Sequence, residues 1–109
     1  MITANAGDAT GSTAEEFNKI NNATSVAVNM NTVTALAASG LSAVNTLALA
    51  INAGEFTNGG NLTTVAISDN TIDAGALATA IDNLDAINGG SSTDMTLASG
   101  ATILSLIHI

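Results

Sequence analysis

The 109-residue chain contains no cysteine, proline, tryptophan or tyrosine, and Lys19 is its only lysine or arginine. Without cysteine there is no disulfide framework, no thiolate metal site and no thiol nucleophile. Nine acidic residues against one base give a formal charge of -8. Binding to a phosphate backbone depends on Lys and Arg, so nucleic acid is excluded as a partner. Long apolar runs are missing too. The nearly uncharged stretch 30–54 is broken by Asn31, Thr32, Ser39, Asn45 and Asn52, whereas a membrane-spanning helix needs about 20 mostly apolar residues. No membrane span is expected. The opening Met1 Ile2 Thr3 Ala4 Asn5 Ala6 Gly7 Asp8 has neither the positive region nor the apolar run of a secretory signal. The expectation is that export does not use that route or that the true N-terminus lies upstream.

What is present is small and polar. Apolar residues make up 47%, but alanine dominates them, so the core has to be built from few large side chains. Ala, Asn and Thr, at 21, 13 and 15 residues, set the texture. The length suits one domain or a slice of something larger.

Self-similarity is the most informative feature. Residues 26–35 align without gaps to 65–74, with Val26, Ala27, Asn31, Thr32 and Ala35 matching Val65, Ala66, Asn70, Thr71 and Ala74. A second alignment pairs 58–67 with 88–97, where Asn58 Gly59 Gly60 recurs as Asn88 Gly89 Gly90 and Val65 falls on Met95. Alternating apolar residues predict strands near 24–30, 62–68 and 93–98. Helical stripes follow: Leu41, Val44, Leu47 or Ala48, and Ile51 over 40–53, and Leu77, Ile81, Leu84 and Ile87 over 74–88. Asp73 is placed to cap the latter helix, with Asn88 Gly89 Gly90 to end it. A shorter helix opens the chain, since Ser12 with Glu15, or Thr13 with Glu16, has capping-box spacing; Phe17 and Ile20 form its apolar side.

Strands joined by helical crossovers pair in parallel. The predicted fold class is therefore α/β: a short, solenoid-like α/β repeat of three helix–strand units, at about 10–35, 36–72 and 73–103, with one small parallel sheet and helices on one face. Residues 104–109, Leu104 Ser105 Leu106 Ile107 His108 Ile109, break the texture and resemble the translated mosaic end of a sequencing-library adapter. That resemblance implies a non-native tail in which His108 carries no role. The alternative is a short terminal strand.

Candidate chemistry is sparse. Gly89 Gly90 Ser91 Ser92 Thr93 Asp94 Met95 Thr96 Leu97 resembles the calcium-binding nonapeptide Gly-Gly-x-Gly-x-Asp-x-U-x, but Ser92 replaces the third glycine and Thr96 the apolar residue. Calcium needs six to eight oxygens, so one degenerate copy ending in Asp94 does not complete a site. Asp82 and Asp85 share a helical face, the spacing of a solvated surface more than of an acid–base pair. No serine elbow, P-loop or dinucleotide fingerprint occurs. Asn31 and Thr32 recur as Asn70 and Thr71, which predicts a row of amides and hydroxyls at the strand exits. Such a row is a turn ladder or a surface recognising polysaccharide, mineral or ice. No residue is assigned a catalytic, cofactor-binding or metal-ligating role.

The Ala/Asn/Thr/Gly texture, with Thr13 Ala14 Glu15 Glu16 Phe17 Asn18 Lys19 Ile20 running into Ser25 Val26 Ala27 Val28 Asn29, resembles tandem repeats of large bacterial exoproteins of the haemolysin-type calcium-binding or adhesin-like kind. The resemblance covers residues 10–103. It implies a secreted or cell-surface location and a structural or adhesive, non-enzymatic role. The implied partners are neighbouring repeats of the same chain and surface polysaccharide. The alternatives are a calcium- or glycan-binding module and a non-catalytic part of a larger exported enzyme.

Overall fold

The computed structural model describes residues 2–3, 12–30, 33–59, 62–87 and 93–105, the first pair by backbone alone. Helix α1 (Ala14–Ala23) starts where Thr13 Oγ1 accepts from the Glu16 N–H at 3.2 Å and Glu16 Oε1 accepts from the Thr13 N–H at 2.9 Å. This reciprocal cap satisfies two amides that a helix start leaves unpaired. Of the two spacings in the sequence, Thr13 with Glu16 forms the box, and Glu15 turns elsewhere. Helix α2 (Leu41–Asn52) begins at Gly40, which has no side chain to cap it. Its end is closed by the Gly54 N–H on the Ile51 carbonyl at 3.1 Å and the Glu55 N–H on the Ala50 carbonyl at 3.0 Å. That paired closure requires a left-handed residue, which Gly54 supplies at φ 86°. Helix α3 (Ala74–Ile87) starts as predicted, with Asp73 Oδ2 accepting from the Ala76 N–H at 2.8 Å.

Among the described residues seven short strands accompany the helices: β1 (Ile2–Thr3), β2 (Val28–Asn29), β3 (Phe56–Thr57), β4 (Thr64–Ile67), β5 (Thr71–Asp73), β6 (Asp94–Leu97) and β7 (Thr102–Leu104). They pair in parallel, as the crossover argument requires, but in three ladders instead of one sheet: β1-β2-β3, β4-β6 and β5-β7. The chain turns after each few residues, at Asn58 with φ 59° and again at 68–70, so no strand is long enough to join the ladders. The principal dimensions are 49 × 27 × 25 Å. No helix among the described residues is long and apolar enough to cross a membrane.

The two sequence alignments fare differently. Val65 lies opposite Met95, as the glycine-anchored alignment requires. Val26 is no counterpart of Val65: it is half exposed and precedes β2, while Val28 faces Phe56. The partner of Thr64 on its other side is Ala35, and that of Ile67 is Ser39. Four steps of chain from Ala35 to Ser39 thus oppose three from Thr64 to Ile67, the signature of a bulge.

Two core assignments also change. In α3 the buried positions are Ala80 and Leu84, with Leu77 and Ile87 partly buried, whereas Ile81 is exposed. Spacing of three, four and three residues keeps Leu77, Ala80, Leu84 and Ile87 on one face, and the larger side chain of Ile81 falls outside it. In α1 the buried pair is Ala14 and Phe17, and Ile20 sits at the rim. Phe17 meets Phe56 edge to face, with ring centroids 6.4 Å apart. Helix α2 packs between α1 and α3 and contributes Leu41, Val44, Leu47 and Ala48 to the core. Ile51 lies over Gly59, where an added methyl group would collide with the isoleucine side chain.

One buried polar residue ties these layers together. Ser39 is 1% exposed, yet its hydroxyl accepts from the Ala14 N–H at 2.9 Å and donates to the Ala37 carbonyl at 2.7 Å. Its N–H donates to Ala66 and its carbonyl accepts from Ser68, both at 2.9 Å. The residue therefore joins the start of α1 to the β4 region. Ser39→Ala leaves the Ala14 amide buried and unpaired, and the expected loss is about 1–3 kcal/mol in urea unfolding. Ser68→Ala, at an exposed position, is expected to stay within about 0.5 kcal/mol.

Candidate functional site

A groove of about 400 Å³ lies between the first turns of α2 and α3. The bend after β4 brings Asp69 to it, β5 brings Thr71 and Asp73, and the helices supply Ser42, Asn45 and Thr79. Its chemistry follows from two helix starts opening in one place. Asp69 Oδ2 accepts from the Leu41 N–H at 3.3 Å, and Asp73 Oδ2 holds the start of α3. From the other side, Glu15 Oε2 accepts from the Gly40 N–H at 3.0 Å. Carboxylates here compensate the positive ends of both helices. The missing side chain at Gly40 makes room, since a Cβ there would lie 3.2 Å from Glu15 Oε2 and 3.6 Å from Asp69 Oδ1.

Most polar groups of the groove are already engaged. Thr79 Oγ1 donates to the Gly75 carbonyl at 3.0 Å, and Asn45 Oδ1 accepts from Asn83 Nδ2 at 2.6 Å. The remaining hydroxyls, on Ser42 and Thr71, are exposed. An acidic rim with hydroxyl groups repels anions and accepts hydrogen bonds from neutral, hydroxylated molecules. Lys19 and Cys chemistry have no part in it.

The sequence-predicted candidates are not brought together. Asp94 opens β6 opposite Thr64 and is exposed; the glycines and serines before it, at 89–92, lie outside the described residues, as does the proposed helix stop at 88–90. Among the described residues no group of three His, Cys, Asp or Glu is placed to hold a metal. Asp85 accepts from the Thr93 N–H at 3.3 Å, bracing the approach to β6, while Asp82 is exposed. Asn31, Thr32 and His108 lie outside the described residues. Thr71 faces Thr102 across β5 and β7.

Sequence reasoning missed the use made of asparagine. Asn58 Nδ2 donates to Asn29 Oδ1 at 2.6 Å, linking the ends of β3 and β2. Across the helices, Asn18 Nδ2 reaches the Ala43 carbonyl and Asn52 Nδ2 the Asn83 carbonyl, both at 3.0 Å, and Asn21 Nδ2 donates to Glu55 Oε1 at 2.6 Å. The signal was present as asparagines recurring at the same interval as the strands, Asn29 with Asn58 and Asn52 with Asn83.

Comparison with known proteins finds no family model, no curated protein and no solved structure that matches this chain. The fold and groove define an acidic α/β protein, and its role has to be argued from its own geometry.

Two outcomes are expected here. Asp69→Asn removes the charge facing α2 and is expected to lower stability by about 0.3–1 kcal/mol, a loss that shrinks in molar salt; urea unfolding at two ionic strengths checks it. Millimolar calcium is expected to leave the circular dichroism spectrum and melting temperature unchanged. A calcium-induced gain of ordered structure that Asp94→Asn abolishes is the contrary result.

Proposed function

We propose that this chain is a structural or adhesive, non-enzymatic repeat segment of a secreted or cell-surface bacterial protein, with units stacked in a solenoid-like array. The observation that carries the reading is the common interval of the parallel pairings. Ile2 meets Val28, Val28 meets Phe56, Ala35 meets Thr64, Thr64 meets Asp94 and Thr71 meets Thr102, each pair 26 to 31 residues apart. Repeats of one strand and one helix have this size, and their stability comes from a unit covering its neighbour. Spacing within a unit agrees. Leu62, Val65, Ile67 and Ile72 are buried, with Asn70 between the last two, the L-x-x-L-x-L-x-x-N-x-L pattern of such repeats.

The side-chain bonds run in the same direction. Ser39, Asn18, Asn52 and Asn58 each bridge residues 25 to 31 positions apart, so polar groups as well as apolar ones join unit to unit. In this reading the partners are neighbouring repeats of the same chain, and the acidic groove with its exposed hydroxyls faces surface polysaccharide. The charge of -8 suits a solvated exterior that stays apart from anionic polymers.

In-frame duplication of residues 64–93 tests the modular claim. In a repeat array an added unit contributes its own interface, so the longer chain is expected to melt higher with unchanged helix content per residue. A lower melting temperature or loss of cooperative unfolding would overturn the reading.

A further inference from the structure

We propose that the cleft between the C-terminal ends of α1 and α2 binds a primary ammonium group carried on a short aliphatic chain, with Glu55 and Asn18 as polar contacts and Leu49 as the apolar one. Asn21, near the end of α1, donates from Nδ2 to Glu55 Oε1 at 2.6 Å, and Glu55 lies just beyond the end of α2, so the two helices finish side by side. Two hollows of about 350 and 280 Å³ adjoin that bond and share Asn21, Ala53 and Glu55. The larger continues between the helices to Asn18 and Leu49. None of these residues lines the acidic groove at the helix starts, so the site stands apart from the repeat reading and from the surface assigned to polysaccharide.

An unmet acceptor marks the wall of the larger hollow. Asn18 Nδ2 donates to the Ala43 carbonyl at 3.0 Å, which fixes the amide with its oxygen as the other end. That Oδ1 is buried and has no donor among the described residues. Buried polar atoms in native proteins nearly always have a partner, so an acceptor left this way calls for a donor from outside the chain.

Charge and surface type select the donor. Helix ends carry partial negative charge on their last carbonyls and are usually compensated by a basic side chain. Neither α1 nor α2 has a basic residue in its last turn, and Lys19, the chain's only base, does not line the cleft. Glu55 adds a full negative charge to the same place, so an anion is repelled and a cation attracted. An ammonium group supplies three N–H donors, enough for the Glu55 carboxylate and Asn18 Oδ1 together. Leu49 is 51% exposed on the wall between them and the solvent, beside Ala50 and Ala53, and gives an aliphatic stem an apolar surface to cover. A bare metal ion gains nothing from that leucine, and a neutral sugar gains nothing from the charge.

Titration of the isotope-labelled whole chain with n-butylammonium chloride, followed by amide NMR at constant ionic strength, tests this. Saturable shifts are expected at Asn18, Asn21, Leu49 and Glu55, with a dissociation constant on the order of millimolar, as suits one exposed carboxylate. Glu55→Gln, which keeps an acceptor for Asn21, is expected to weaken binding by at least about threefold, and Asp82→Asn on the exposed face of α3 to leave it unchanged. n-Butanol on the unmodified protein is the second measurement, free of any effect on folding, and is expected to produce no saturable shift. N-acetyl-lysine N-methylamide separates the sources: binding of both amines extends the site to lysine side chains of other proteins, and binding of butylammonium alone restricts it to free amines. Absence of saturable shifts with butylammonium, an equal response to butanol, indifference to Glu55→Gln, or an equal loss with Asp82→Asn would each overturn the proposal.

Discussion

The hydroxyl of Ser39 is the smallest group on which the packing of this protein depends. A chain with so few large apolar residues cannot hold its layers together by burial alone, and alanine contributes little area per residue. Hydrogen bonds between sequence-distant segments carry part of that task. Ser39 satisfies all its polar groups while lying at the meeting point of α1, the bulged 35–39 segment and β4. In the interior such a bond is worth more as an obligation than as a gain, because its loss leaves a buried amide without a partner. The residue thus sets where the segments sit relative to one another.

The same economy explains the acidic and amide-rich surface. Three carboxylates, from Glu15, Asp69 and Asp73, stand at the starts of α2 and α3, and Gly40 is small enough to let two of them converge. Helix α2 has no side-chain cap of its own and borrows the charge of residues before and after it in sequence. Asparagines do on the helix layer what leucines do inside, joining α1 to α2 and α2 to α3. A groove arises where the two helix starts meet, so this concave polar surface is a by-product of how the helices are anchored.

Much of this was legible in the residue order. The helices, the cap at Asp73, a capping box at the start of α1 though not the choice of Thr13 over Ser12, the parallel pairing and the facing of Val65 on Met95 all follow from local periodicity and short-range chemistry. The misplacements have a common origin. Val26 aligns with Val65 because alternation reports a strand and says nothing about which strand lies beside it; the segment beside Thr64 begins at Ala35. Ile81 carries the apolar bulk, but the buried face is set by the 3.6-residue turn, which groups Ala80 and not Ile81 with Leu77, Leu84 and Ile87.

Local order, composition and sign of charge belong to the chain itself, since they arise from contacts a few residues long and from counting ionisable groups. On that basis alone α/β architecture is expected, and a single basic residue speaks against a phosphate backbone as partner. Division into three ladders and convergence of Glu15 and Asp69 on Gly40 depend on segments about thirty residues apart. Such contacts are decided by bulges, turns and the closeness of packing, which leave no periodic trace in one sequence.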